Sequence, residues 1–226
     1  MKIVDLTLTL DDTCMTCGTP WHEHVKLEQL GKLEIVGRNT TSIHMGSHSG
    51  THMDAPAHFF NGMFGIDQID LGQACGDVSI INFTNKTKQS VVELCDVESI
   101  TVTARMLFVF GWFQHWKTDS YYDDFPYFSQ KAVHYLIDNG MKVMALDTPS
   151  PDSVNDIGNM EDSVNHKLLL KNEVILIEYL TNTDKLLNDK AYTLIALPLK
   201  LKGADGSPAR VIAIEHMEGE NFYEKE

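Results

Sequence analysis

This chain is marked by the stretch His48-Ser49-Gly50-Thr51-His52-Met53-Asp54-Ala55-Pro56-Ala57-His58, in which three histidines and one aspartate fall within eleven residues. Imidazole and carboxylate groups are ligands that suit zinc, manganese and iron. Gly50, Thr51 and Pro56 oppose a helix, so we expect an extended or tightly turning segment. In an extended strand His52 and Asp54 lie on the same face. The stretch therefore predicts a metal site.

A further candidate for binding a cation stands far along the chain. His166 alone is typical of a surface helix residue, but Glu178 ends the apolar run Val174-Ile175-Leu176-Ile177. An unpaired buried carboxylate is costly, so a metal or another cation is expected to pair with Glu178. The alternative is that Glu178 lies on the exposed face of its strand.

The spacing H-x-G-T-H-x-D-x-P-x-H resembles the signature of the cyclase-type metal-dependent hydrolases, a family that includes bacterial kynurenine formamidases and isatin hydrolases. Every fixed position of that signature is matched between His48 and His58. The resemblance extends over about residues 3–214. Further segments that carry it are Asp147-Thr148-Pro149-Ser150-Pro151-Asp152, the pair His166 and Glu178, residues 196–200 and residues 203–210.

The resemblance implies a swivelling β/β/α fold and a divalent metal, most suitably zinc or manganese, at one or two ions per chain. It assigns His48, His52 and Asp54 to the first ion, and it makes Asp54 a bridge to a second ion held by His166 and Glu178. A bridging carboxylate is chemically reasonable, because two cations about 3.5–4 Å apart repel each other and need shared negative charge.

The resemblance also assigns His58 as the general acid/base, and histidine suits this role because its unperturbed pKa is about 6.5. The alternative is that His58 is a further metal ligand. Thr148, Ser150 and Asp152 are candidates to support the ligands, because metal-binding histidines usually donate their second N–H to a carboxylate or carbonyl.

Trp21 is the candidate substrate-binding residue. In the family an aromatic residue stands here in a Trp-Pro-Gly-Asp-like segment that lines the pocket of an aromatic substrate. This chain reads Pro20-Trp21-His22-Glu23-His24 instead. The departure puts a kynurenine-type substrate in doubt and leaves the metal ligands untouched. The family also implies a homodimer or homotetramer with a neighbour's loop near the pocket.

Composition limits the partners of the protein. The 226 residues carry a formal net charge of −14, which argues against nucleic acid and against anionic membrane surfaces. No run reaches the roughly 18 apolar residues of a membrane span. The first ten residues lack the apolar core of a signal peptide, so a cytoplasmic location is expected.

The four cysteines are expected to be thiols in a reducing compartment. Cys14 and Cys17 form a C-x-x-C pair close to His22 and His24, which leaves a small accessory metal site or a thiol-redox role open. Two loop thiols without such a role are the simpler interpretation.

Hydrophobic periodicity predicts a single, strand-rich, mixed α/β domain over residues 1–226 with few helices. Strands are expected at 3–10, 39–45, 78–83, 106–110, 141–146, 174–180, 192–197 and 209–214. Helices are expected at 129–139, with Ser129 as its cap and Gly140 at its end, and at 161–171.

The function predicted from the sequence is hydrolysis of a small amide, with arylformamidase as the leading activity and attack by metal-activated water as the mechanism. Opening of a lactam or lactone, as by isatin hydrolases, is the alternative within the class. A metal-binding or ligand-binding protein without turnover is the alternative from another class.

Overall fold

The computed structural model describes residues 1–156, 162–187 and 189–216, within which the chain forms twelve strands and five α-helices. This confirms the expected strand-rich mixed α/β fold. The strands are β1 Lys2–Asp5, β2 Lys26–Gly31, β3 Thr40–His44, β4 His52–Asp54, β5 Cys75–Asn82, β6 Val91–Val92, β7 Arg105–Val109, β8 Tyr127–Phe128, β9 Val143–Leu146, β10 Ile175–Glu178, β11 Tyr192–Pro198 and β12 Gly206–Glu215. The helices are α1 Leu33–Val36, α2 Leu71–Ala74, α3 Leu94–Val97, α4 Gln130–Asp138 and α5 Val164–Lys171.

Seven strands close into a barrel-like sheet in the order β12-β11-β5-β7-β9-β10-β4, and β4 pairs back to β12. Strand β1 adds to β12 from outside this ring. The pairs β5–β7, β7–β9 and β9–β10 are parallel, whereas β4 pairs antiparallel with both β10 and β12. Closure therefore depends on β4, the three-residue strand at the centre of the histidine-rich stretch.

Strand β7 separates two hydrophobic clusters. Leu107 and Val109 belong to a cluster built from side chains of the closed sheet, and Met106 and Phe108 belong to a second cluster that includes Leu136 of α4. All four strand residues are fully buried. A strand buried on both faces reads as a continuous apolar run, which explains why the sequence predicts it correctly.

Helix α4 confirms the predicted helix and its signals. The Ser129 side chain accepts a hydrogen bond from the Ala132 N–H at 3.3 Å, and Gly140 follows the helix with φ 100°. The buried face carries Ala132, Val133 and Leu136. No helix in the described ranges is long and apolar enough to cross a membrane.

The first predicted strand is shorter than expected and ends at Asp5 instead of residue 10. The Leu6 N–H still donates to the Val211 carbonyl at 2.9 Å, but the Leu8 N–H donates to the Thr51 hydroxyl at 2.9 Å. The backbone therefore leaves the pairing with β12 after this point and bonds to the histidine-rich stretch instead. The second predicted helix begins at Val164, and Glu161 lies outside the described residues.

Strands β2 and β3 form a separate two-stranded arm, and the sequence predicts only β3. In β2, only Gly31 is buried. Without a buried face, the strand has no alternation of apolar and polar residues that sequence reasoning could detect.

Candidate metal centre

Strand register brings two candidate ligands from distant parts of the chain together. In the antiparallel pair of β4 and β10, His52 lies directly opposite Glu178. Directly opposed residues share a face of the sheet, and so do His52 and Asp54 within β4. All three side chains therefore lie on one face of the sheet, and each residue is less than 4 % exposed.

The remaining candidates enter from the segments that flank these strands. His48 precedes β4 through Gly50, whose φ of 59° lies in the left-handed region that favours glycine. His58 ends the short 3-10 turn Pro56–His58 that follows β4. His166 lies in the first turn of α5.

The structure brings the predicted metal ligands together around Asp54. The Asp54 Oδ1 atom lies 2.8 Å from His48 Nδ1 and 3.3 Å from His52 Nε2. The other oxygen, Oδ2, lies 3.7 Å from His166 Nε2. The Glu178 carboxylate lies between His52 and His166. Its Oε2 atom is 3.3 Å from His52 Nε2, and its Oε1 atom is 3.3 Å from His166 Nε2.

The buried carboxylates provide the test of whether these residues suit a metal. No hydrogen-bond donor in the described part of the chain is aligned with either oxygen of Asp54 or with Oε1 of Glu178. Histidine nitrogens are close but are not placed as donors. A buried carboxylate without partners is costly, and a cation would satisfy these oxygens. Ligand atoms of His52, Asp54 and Glu178 lie within 4.8 Å of one another, so this donor set fits a divalent ion.

Electrostatics point in the same direction. Burial opposes the charged form of His52, but the adjacent carboxylates of Asp54 and Glu178 outweigh it and raise its pKa to about 10. Burial is likewise outweighed at His166, whose pKa Glu178 and Asp152 hold well above its usual value. The carboxylates thus make the electrostatic potential at the centre strongly negative, and protons and metal ions compete for binding there.

The structure identifies the groups that orient the ligands. Asp152 Oδ2 lies 2.6 Å from His166 Nδ1, and the Gly50 carbonyl lies 2.8 Å from His52 Nδ1. The Ser150 hydroxyl in turn accepts a hydrogen bond from the Asp152 N–H at 3.0 Å. A carboxylate or carbonyl on the second ring nitrogen fixes the histidine tautomer. Asp152 and Ser150 thus occupy the supporting positions suggested by the sequence.

Sequence reasoning gave no role to Asp205. Its Oδ2 atom lies 2.9 Å from His48 Nε2 and 3.2 Å from His58 Nδ1. The residue belongs to the segment 203–210 that carries part of the family resemblance, but it is 147 positions from His58 in sequence. Asp205 and His58 come together only because β12 pairs with β4, and no local sequence pattern predicts that pairing.

Thr51 connects the histidine-rich stretch to two other segments of the chain through hydrogen bonds. Its replacement gives a prediction for the free energy of unfolding. Its buried hydroxyl accepts a hydrogen bond from the Leu8 N–H at 2.9 Å and donates one to the Tyr179 carbonyl at 2.7 Å. Thr51→Val should lower the free energy of unfolding by roughly 2–6 kcal/mol, since it leaves two buried groups unsatisfied and each costs about 1–3 kcal/mol. Thr51→Ser keeps the hydroxyl and is the control. Equal loss in the two variants by chemical denaturation would contradict this role.

A cavity of about 240 Å³ opens onto the candidate ligands. Trp21, the predicted substrate-binding residue, is 66 % exposed and belongs to its wall together with the half-buried Phe59. Tyr122, Phe125 and Tyr179 also line it, and the sequence did not single them out. The cavity therefore combines an aromatic wall with a polar, ligand-rich floor.

The C-x-x-C pair does not form a second metal cluster. Cys17 contacts His22, with Sγ 2.6 Å from Nδ1, whereas Cys14 is buried and accepts a hydrogen bond from the Asp11 N–H at 3.2 Å. Both are free thiols. Among the described residues, neither potential three-donor group contains a cysteine. Burial lowers the pKa of His22 to about 4, so a neutral imidazole lies at the pocket wall beside Cys17.

The chain is similar in sequence to known proteins. The sequence profile of the family described as "Putative cyclase" matches residues 4–153. The kynurenine formamidase of Geobacillus thermodenitrificans is 30% identical over 203 residues, which cover 88% of this chain and 87% of that protein. The kynurenine formamidase of Bacillus anthracis is 29% identical over 215 residues, covering 93% and 96% of the two chains.

Solved structures agree in fold. An isatin hydrolase bound to the product analogue thioisatinate superimposes with a TM-score of 0.84 at 20% identity, covering 95% of this chain and 93% of that chain. Isatin hydrolase A from Ralstonia solanacearum gives a TM-score of 0.81 at 22% identity, covering 94% and 91%. The profile match, the similarity to these relatives and the shared fold together show that the chain belongs to the cyclase-type metal-dependent hydrolase family.

Proposed function

We propose that residues 1–226 form one catalytic domain that hydrolyses a small aryl-linked or cyclic amide, with arylformamidase as the leading activity. The observation that carries this proposal is the convergence of histidines on buried carboxylate oxygens that accept no aligned hydrogen bond, at the floor of an aromatic cavity. The kynurenine formamidases similar to this chain support the choice of an arylformamide.

The metal would be held by His48, His52, Asp54, His166 and Glu178. Zinc and manganese suit this mixture of imidazole and carboxylate. Because the two Asp54 oxygens face different histidines, we propose that the site takes up to two ions with Asp54 between them. A bound divalent ion supplies Lewis-acid polarisation of a carbonyl and lowers the pKa of water to roughly 7.

The side chains contribute binding and proton transfer. Trp21 and Phe59 would pack against the aryl group at the cavity wall and exclude water from the amide. His58 lies on the same cavity, and its ring centroid is 4.1 Å from that of His48. It would take a proton from the attacking water and return it to the leaving nitrogen.

A second candidate activity, lactam opening of the isatin type, stands because one observation counts against a kynurenine-type substrate. Where the family has Trp-Pro-Gly-Asp, this chain has Trp21-His22-Glu23, and His22 lies on the cavity wall stacked against His48 at 6.0 Å. The replaced segment changes the part of the pocket that would contact the substrate, and it leaves the candidate ligands in place.

The test is hydrolysis of N-formylkynurenine and of isatin by purified protein supplied with zinc or manganese. Turnover of the formamide above isatin would support the leading activity, and the reverse would support the second. A metal-loaded, folded protein that turns over neither would favour the binding-protein alternative. Replacement of both Cys14 and Cys17 by serine should leave turnover intact, and its loss would favour a thiol role.

We propose that the protein is a homodimer or homotetramer. The arm of β2, α1 and β3 exposes large apolar side chains, and exposed apolar surface of this kind commonly marks an interface. Light scattering should give at least twice the mass of one chain, and a monomer would contradict the proposal. The exposed side chains are Leu27, Leu30, Leu33, Ile35, Val36 and Ile43.

We also propose a cytoplasmic location. The four cysteines are free, which suits a reducing compartment. Fractionation of cells that produce the protein should recover it with cytoplasmic markers, and recovery with secreted proteins would contradict this location.

A further inference from the structure

Asp205 is the feature of the centre whose role the proposed chemistry leaves open. It immediately precedes β12, and Gly206, the first residue of that strand, lies opposite Asp54. Its side chain is 43% exposed, yet one of its oxygens, Oδ2, meets two ring nitrogens, His48 Nε2 at 2.9 Å and His58 Nδ1 at 3.2 Å. One carboxylate oxygen thus joins a candidate metal ligand to the candidate acid/base.

Hydrogen-bond chemistry restricts both rings. A carboxylate oxygen only accepts, so His48 must donate from Nε2 and His58 must donate from Nδ1. In the neutral form of His48, the Nδ1 lone pair then lies on the side of Asp54, 2.8 Å from its Oδ1 atom. In the neutral form of His58, the unprotonated nitrogen is then Nε2, which is the state that a general base requires.

We propose that Asp205 is a positioning residue, which holds His58 in the Nδ1–H tautomer and in the orientation needed to exchange protons at Nε2. This inference rests on the proposed hydrolase function. Its second effect is on His48, which the same oxygen orients toward the metal centre. Asp205 also forms a side-chain hydrogen bond with Ser47, but it acts on the reaction through the two histidines and does not itself exchange a proton with the substrate.

A purely structural role for the Asp205 side chain is less consistent with the contacts around it. The loop is already held through the Ala55 N–H, which donates to the Asp205 carbonyl at 2.9 Å, and the Ile66 N–H, which donates to the Ala204 carbonyl at 2.8 Å. The Asp67 side chain also accepts a hydrogen bond from the Gly203 N–H at 2.8 Å. Removing the Asp205 carboxylate leaves these three bonds in place.

The first experiment reads the tautomer directly and does not depend on turnover. Two-bond ¹H–¹⁵N spectra of the zinc-loaded protein, labelled at histidine, report which ring nitrogen carries the proton. His58→Ala identifies the His58 signals. We expect the Nδ1–H form for His58 in the unaltered protein and a shift toward the Nε2–H form in Asp205→Ala. An Nε2–H form in the unaltered protein, or no change in the variant, would overturn the proposal.

The second experiment is a double-mutant cycle in kcat, at saturating metal, with metal content measured for each variant. Asp205→Ala should lose about 10- to 100-fold in kcat, the usual effect of removing a partner of this kind. In the His58→Ala background the same change should cost nothing more, since its target is absent. Asp67→Ala, which loosens the same loop, is the control and should remain near the unaltered rate.

The outcomes separate this proposal from the proposed function. Additive losses in the cycle, or an unchanged kcat in Asp205→Ala, would overturn the role through His58. Loss of metal from Asp205→Ala with full recovery of kcat at saturating metal would mean that Asp205 acts only through His48, which also overturns it. If the unaltered protein hydrolyses no amide, the proposed function fails, and the tautomer measurement still decides the geometry.

Discussion

Asp54→Asn should remove the metal and the hydrolase activity together. Asp54 is fully buried, its two oxygens face different histidines, and no donor among the described residues satisfies them. Asparagine keeps the shape but loses the charge and one of the two oxygens. Removing a residue that only supports a metal ligand commonly costs about 10–100-fold in metal affinity or activity. Asp54 would itself be a ligand, so we expect metal affinity and activity to fall by roughly 100-fold or more.

Asp147→Asn is the matched control for this variant. Asp147 is equally buried, but its carboxylate accepts hydrogen bonds from the N–H groups of Phe110 and Gly111 and from the Thr183 hydroxyl, away from the centre. Burial raises its pKa to about 6 in spite of these bonds. The control should lose stability and keep its metal. If both variants lost metal equally, the loss would follow from destabilisation and would contradict a ligand role for Asp54.

His58→Ala should keep the metal and lose most of the turnover. A positioned acid/base group typically contributes about 10²–10⁴-fold to the rate, and we expect kcat to fall by that amount. His134→Ala, at an exposed position of α4, is the control and should match the unaltered protein.

Metal analysis of the same variant distinguishes the two roles considered for His58. Ligand atoms of His48, Asp54 and His58 lie within 4.8 Å of one another, so a ligand role is geometrically possible. If His58→Ala lost metal in proportion to activity, His58 would be a ligand and the acid/base assignment would be wrong. Retained metal with a rate unchanged from that of the unaltered protein would contradict both roles.

The sequence predicted the local part of the centre well, for a physical reason. The glycine and proline around β4 exclude a helix, and the alternation of a strand then places His52 and Asp54 on one face. Glu178 stood out as a carboxylate in an apolar strand, but its assignment together with His166 to this centre depended on family resemblance. No periodicity shows that β10 pairs with β4 in the observed register.

The contacts that the sequence missed depend on closure of the sheet. Asp205 reaches His58 only because β12 pairs with β4, and neither strand carries a signal for that pairing. The first strand was predicted too long for a related reason. Its alternation continues through Leu8, but the backbone there bonds to the Thr51 hydroxyl, which only the folded chain brings near.

The most direct test of the central claim is the metal content per chain of untagged protein by elemental analysis, with His52→Ala analysed beside it and hydrolysis assayed on the same samples. The structure places His52 Nε2 at 3.3 Å from both Asp54 and Glu178. We expect one to two zinc or manganese ions per chain, lost together with activity in the variant. A folded protein that binds no metal after zinc or manganese is added back would contradict the account.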